Sequence, residues 1–340
     1  MQVFATMSER LGLAEAADHA RRVEAIGYDG LLVPEAVHDG FLTALATLSA
    51  TRRLRVTTSV LVAFPRSPMT TAHAAWDLQR ESSGRFELGL GAQVRGNIVG
   101  RFSVDWVSPV ARMRDYVESL RAIFHSFQTG EPLAYDGEHY QFSRLQPYFN
   151  PGALDCAPPR IQLGAVGPEM TRMAGGTADG LISHPTQSSA RILKELTLPR
   201  VAEGASRRNR DPQDCPVLAA GFVITGSDDV AVSQMREWVR DQLAFLYSTP
   251  AYWPALDHLG FGEVGRRLHA LSKRGDWDGS KDLVSDEMIE ALVPQGRYDD
   301  IAEILLDDYG SIVDRITFPL PDDPAKDEQV GEVLRALRGA

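Results

Sequence analysis

Short, almost wholly apolar runs alternate along the chain with longer stretches in which apolar residues recur every three or four positions. The first kind suits strands buried on both faces, and the second suits helices with one face on a core. Runs at 3–6, 28–33, 54–63, 86–90, 160–166, 180–183, 217–225 and 314–320 read as strands. Between them, 13–26, 41–50, 69–81, 189–205 and 298–309 read as helices, with others opening at Ser108-Pro109 and Pro168 and a last one over 327–337. Gly27 and Gly84 stop the first and third helices. Ser108 and Pro109 are a favoured N-cap and first-turn pair. The helix they open carries Met113, Tyr116, Val117, Leu120, Ile123, Phe124 and Phe127 as its core stripe. Trp76 likewise lies on an apolar helical face.

Strand and helix in strict alternation predict a parallel sheet, and eight such strands predict a (β/α)8 TIM barrel. Two stretches depart from the alternation. Residues 129–159 are aromatic and rich in Pro and Gly, with a hairpin turn at Asp136-Gly137. From Asp228 to about Leu292 the chain is helical, with breaks at Pro250, Pro254, Gly260 and Gly275. The expectation is one α/β barrel domain over 1–340 with insertions at about 129–159 and 245–296. A doubly wound sheet would need GxGxxG after the first strand. The nearest candidate, Gly89-Leu90-Gly91-Ala92-Gln93-Val94, lacks the third glycine and falls on the fourth strand.

Composition narrows the partners. In 340 residues, 44% hydrophobic and 24% charged content is that of an ordinary globular chain. A formal net charge of −11 argues against nucleic acid or an anionic membrane as partner. The N-terminal stretch lacks a basic region followed by an apolar core, and no apolar run reaches the roughly 20 residues that span a bilayer. Cys156 and Cys215 form no CxxC pair and no zinc-ligand spacing. The expected setting is cytoplasmic, with a small-molecule substrate and a homodimer as the assembly.

A barrel places its chemistry where strands end. Strand two ends near Glu35, His38 and Asp39; strand three near Ser59, Val60, Val62 and Arg66. Strand four ends at Gly91, Gln93, Arg95 and Asn97, strand five at Gly164, Val166 and Gly167, and strand six at His184. The run Gly164-Ala165-Val166-Gly167-Pro168-Glu169-Met170 leads a strand through a glycine turn into a helix. Free N–H groups and the helix dipole there suit a phosphate, although a plain strand-to-helix turn has the same residues. His184 can titrate near neutrality, or hold loop backbone. Arg66 and Arg95 suit a phosphate or acidic tail, or surface ion pairs. Lys194, Lys273, Lys281 and Lys326 all lie off the strand ends, which argues against a Schiff-base aldolase. No His pair on strand one supports a metallohydrolase, and facing carboxylates for a glycosidase are wanting.

The segment LRVTTSVLVAFPRSPMTTAHAAWDLQRESSGRFELGLGAQVRGN, with YDGLLVPEAVHD before it and GAVGPEMTRMAGGTADGLI after it, resembles the luciferase-like flavin and deazaflavin oxidoreductases. The runs HDGF, AWDLQ, GRFELGLG, FNPG and STPAY resemble in particular the subgroup dependent on coenzyme F420. The resemblance implies a non-prolyl cis peptide at Ser59-Val60 behind the cofactor ring. It makes Ser59, Val60, Val62, Gly91, Asn97, Val166 and Gly167 cofactor contacts, and Gln93, Arg95 and Gly164 at the same strand ends are further cofactor-binding candidates. It implies hydride transfer between F420 and a small organic substrate. The alternatives are an FMN-dependent monooxygenase using O2 and a flavin-binding protein without enzymatic activity. The Asp-His pair that ends strand two in deazaflavin relatives is Glu35-Ala36 here, and a further acidic position is Val94. His38 is therefore the expected proton donor, with Glu35 orienting it and His184 as competitor.

Overall fold

The structure, a computed structural model, describes residues 1–277 and 279–339. Eight parallel strands close into a barrel: β1 (Gln2–Thr6), β2 (Gly30–Val33), β3 (Arg55–Thr58, continued by Leu61–Val62), β4 (Phe86–Gly91), β5 (Arg160–Ala165), β6 (Gly180–Ser183), β7 (Val217–Ala219) and β8 (Arg315–Thr317). Each pairs with its sequence neighbours; β1 pairs with β8, and β3 with β4, so the sheet has no free edge. Helices wrap the outside and bury the apolar stripes read from sequence; Trp76 and Met113 are in the core.

Inside the barrel two layers stack. Phe4, Leu32, Ile182 and Leu218 form an apolar plug that meets Val60 and Ala220 on the side where the strands end. On the opposite side lies a buried ion pair. Arg315 Nη1 donates to Glu87 Oε1 and Oε2 at 3.2 and 3.0 Å, while Thr57 Oγ1 and Gln162 Nε2 each donate to Oε2 at 3.2 Å. Arg55 adds a more distant contact at 3.5 Å. The Arg315 guanidinium lies 5.7 Å from the centre of the Phe4 ring, so the charged layer is stacked under the apolar one.

The excursion after the long helix (Pro109–Thr129) is a short hairpin, Tyr135–Asp136 with Gln141–Phe142. The buried Asp115 carboxylate fastens it, accepting from Tyr140 N at 3.0 Å and from the Tyr135 hydroxyl. Ser108 departs from expectation. It sits in the left-handed region (φ 39°), and its side chain does not cap the helix. The seventh strand also differs from the 217–225 expected: it stops at Ala219, and Ile224–Gly226 pairs instead with Gln295–Arg297. Those two short strands clasp the base of a helical insert. The insert contains Asp229–Tyr247, Trp253–Leu259, Gly262–Lys273 and Asp286–Leu292 and has its own core around Val239, Tyr247, Leu256, Leu268 and Met288. It thus begins ahead of the 245 boundary read from sequence. Among the described residues no helix is long and apolar enough to cross a membrane.

Removing one partner of a buried pair leaves an uncompensated charge. Arg315→Met should therefore cost about 3–5 kcal/mol of unfolding free energy, read by chemical denaturation. Arg315→Met combined with Glu87→Gln should recover much of that loss. A single variant as stable as the wild type would show that the polar layer does not hold the barrel.

Candidate active site

The strand ends converge on one face, and β3 shapes its centre. Val56 pairs with Phe86 and Leu61 with Leu90, so five steps along β3 face four along β4. The extra residue is a bulge, which re-aims the side chains beside it. It contains a cis peptide between Ser59 and Val60, as the family resemblance implied. The Val60 side chain packs on the barrel plug. A Cβ on Gly91 would lie 2.5 Å from Val60 Cγ2, and one on Gly164 would lie 3.1 Å from Val60 Cγ1. These two glycines are required by Val60, a tighter reason than the approach of a ligand.

The loop after β2 braces the bulge. Val62 N donates to Glu35 Oε2 at 2.7 Å. Arg66 Nη1 donates to the same oxygen at 2.9 Å, Arg66 Nη2 reaches Glu35 Oε1, and Nη2 also donates to Asp39 Oδ2 at 2.8 Å. Burial works against the Arg66 charge, but the hydrogen bonds and charges of Glu35 and Asp39 outweigh it and hold the guanidinium above its ordinary pKa. Two expectations are corrected here. Glu35 does not orient His38, because both its oxygens are taken by Arg66 and Val62. Arg66 is neutralised by carboxylates and is not free for a phosphate. Val62 also turns out buried in the core at 3% exposure, with its N–H spent on Glu35 and its carbonyl on Arg66, which leaves no polar group of it for a cofactor. Asp39 additionally caps the next helix (Gly40–Ala50) through Phe41 N. His38 is half-buried at the rim and makes no hydrogen bond among the described residues.

The β4 end is exposed and basic. Gln93 adopts a left-handed φ of 59° and accepts from Val94 N at 2.9 Å. Arg95 and Asn97 follow in the short helix Arg95–Gly100, Arg95 exposed and Asn97 half-buried. Arg101 Nη2 donates to Ala36 O at 2.6 Å, joining this loop to the one after β2. Arg112 donates to Tyr140 Oη at 2.9 Å and to Phe64 O at 3.2 Å. None of Arg95, Arg101 and Arg112 has a carboxylate partner among the described residues. In a chain of net charge −11 this is a local excess of positive charge. Sequence reading passed over Arg101 and Arg112, because neither lies at a strand end.

At β5 the half-buried Val166 and Gly167 lead into the helix Pro168–Thr177, with Gly167 at its N-cap and no side chain capping it. A Cβ on Gly167 would meet nothing within 4 Å, and its φ of −74° is open to any residue. The fold itself does not need glycine there, and the first-turn N–H groups are free to meet an anion.

At β6, His184 Nδ1 lies 2.8 Å from Thr186 Oγ1 and accepts from Thr186 N at 3.3 Å. The ring proton is therefore assigned to Nε2. Burial pushes the imidazole down to about 4, so the ring is neutral at physiological pH. It stacks on Tyr252 with ring centres 4.4 Å apart and planes 16° apart. Thr186 and Tyr252 were not singled out from sequence, although Tyr252 closes the STPAY run.

Residues 2–315 match the luciferase-like monooxygenase family. An uncharacterized protein of Mycobacterium tuberculosis is 41% identical over 304 residues, 89% of each chain. An F420-dependent glucose-6-phosphate dehydrogenase of Nakamurella multipartita is 29% identical over 247 residues, 69% of this chain and 71% of its own. In fold, the chain superposes on a coenzyme F420-dependent tetrahydromethanopterin reductase of Methanopyrus kandleri with a TM-score of 0.80, at 18% identity and 97% coverage of both. The chain belongs to the luciferase-like monooxygenase family and is an oxidoreductase of that class.

Proposed function

We propose that the protein transfers a hydride between coenzyme F420 and a small organic substrate. The observation that carries this reading is the glycine turn at Gly167, where the space a Cβ would fill is empty and uncapped helix N–H groups lie alongside. A phosphate fits there. The exposed Arg95 and Arg101, which have no carboxylate partner among the described residues, suit the remaining negative charge of a deazaflavin's acidic tail. Ser59 and Val60, supported by Gly91 and Gly164 beneath the Val60 methyls, would seat a ring, with Gln93, Asn97 and Val166 as its further contacts. The F420 dependence of the Nakamurella relative points the same way.

Bound there, F420 supplies or accepts the hydride. The chain's own residues hold the cofactor's phosphate at Val166 and Gly167, keep the substrate carbon in reach and manage one proton. For a carbonyl substrate in the reducing direction, hydride adds to the carbonyl carbon, the C=O π pair moves to oxygen, and oxygen takes a proton. His38, unpaired at the rim, delivers it. His184 is held neutral and so donates a hydrogen bond to that oxygen without giving up its proton.

Gly167→Val should fold normally, since its new side chain meets open space, yet weaken F420 binding tenfold or more, about 1.4 kcal/mol. Unchanged affinity in fluorescence titration would remove the phosphate from this turn. His38→Ala should lower turnover by about 10²–10⁴ with F420 affinity preserved, because the cradle and seat lie on other strands. Near-normal turnover in His38→Ala would take the proton role away from it.

A further inference from the structure

The helical insert meets the barrel rim through Tyr247 and Tyr252. Its first long helix (Asp229–Tyr247) ends on Tyr247, which is fully buried and donates its hydroxyl to Thr186 O at 3.1 Å. The chain then turns through Ser248-Thr249-Pro250-Ala251 to Tyr252. This turn is fixed from behind. Trp253 Nε1 donates to Tyr247 O at 3.0 Å, and His269 Nδ1 lies 2.8 Å from Ser248 O. Trp253 and His269 pack edge to face with centres 5.6 Å apart. Tyr252 therefore stands on a rigid base, and its ring lies nearly parallel to that of His184.

The two faces and one edge of an imidazole have different uses. Stacking fixes the plane of the ring but leaves rotation within it. Thr186 removes that rotation by engaging Nδ1 through both its hydroxyl and its N–H. What remains is Nε2, which carries the proton and has no protein partner among the described residues. A neutral N–H donor held this way recognises an oxygen acceptor and costs little reorganisation when it does so.

We propose that Tyr252 is a positioning residue of the reaction: with Thr186 it fixes His184 so that Nε2–H donates to the oxygen of a carbonyl or alcohol substrate. The inference rests on the redox function proposed for the barrel mouth. It assigns the insert a part in catalysis, through a side chain that touches His184 and not the cofactor. Few groups could perturb the ring electrically. Thr186 on its own turn does not titrate, and Tyr252 and Tyr247 from the insert are neutral at working pH. Burial alone accounts for its suppressed basicity, with no carboxylate or cation contributing.

The test uses the full chain labelled with ¹⁵N-histidine, the His184 signals being identified by their loss in His184→Gln. In the wild type His184 should stay neutral down to about pH 4. Tyr252→Leu uncovers the ring and should raise its proton affinity at least tenfold, one pH unit in the titration midpoint. Tyr252→Phe, which keeps the aromatic face, should restore the wild-type midpoint. F420 affinity should be unchanged in both, which shows that the variants are folded and keeps this inference separable from the cofactor assignment. An unmoved midpoint in Tyr252→Leu, or an equal shift in Tyr252→Phe, would overturn the positioning role. So would a wild-type His184 that titrates near 6.5. Failure of the wild type to bind F420 would instead strike the proposed function itself.

Discussion

The mouth of the barrel is arranged around one isopropyl group. Val60 lies on the plug formed by Phe4, Leu32, Ile182 and Leu218, and its methyls fill the space where side chains at 91 and 164 would otherwise stand. That packing sets the level of the site's floor. It demands glycine on both β4 and β5, and it needs the extra residue that shifts β3 against β4. A larger residue at 91 would collide within 2.5 Å and lift either the bulge or the strand. The seat is therefore a property of three strands at once, and no loop can alter it alone.

Around that rigid centre, the charged groups divide into two sets. One set is spent on architecture: Glu87 with Arg315 inside the barrel, and Glu35 with Arg66 and Asp39 behind the bulge. In each of these groups the guanidinium is committed to carboxylates and is not left over for a ligand. The other set, Arg95 and Arg101, is exposed and has no carboxylate in reach among the described residues, whereas Arg112 spends all three of its nitrogens on Tyr140, Asp105 O and Phe64 O. The same side-chain type thus has opposite meaning depending on whether a carboxylate is in reach. Loops after β2 and β4 and the helical insert then supply His38 and Tyr252 from outside the barrel's own repeat.

The alternating periods in the sequence were enough to reveal the barrel, because strands covered on both sides must be continuously apolar and the helices between them must be striped. Local readings failed where a partner is remote. Glu35 and His38 are three positions apart and look paired, yet the carboxylate closes on Arg66, on the far side of another strand. Nothing near Glu87 in sequence announces Arg315, more than two hundred residues on. The end of β7 was misplaced because 220–223 stays apolar, while the residues beyond it pair with 295–297. Gly91, Gly164 and Gly167 looked alike as glycines, and only the packing separates the two that Val60 requires from the one that the fold leaves optional. Tyr252 belonged to a recognisable run, but its stacking on His184 depends on how the whole insert folds back.

The central claim is that this rim holds a deazaflavin. It is tested most directly by anaerobic fluorescence titration of the purified full-length protein with F420 and, separately, with FMN. The account predicts saturable binding of F420 at one site per chain, and no saturation by FMN over the same concentration range. Saturable FMN binding with no binding of F420 would contradict it.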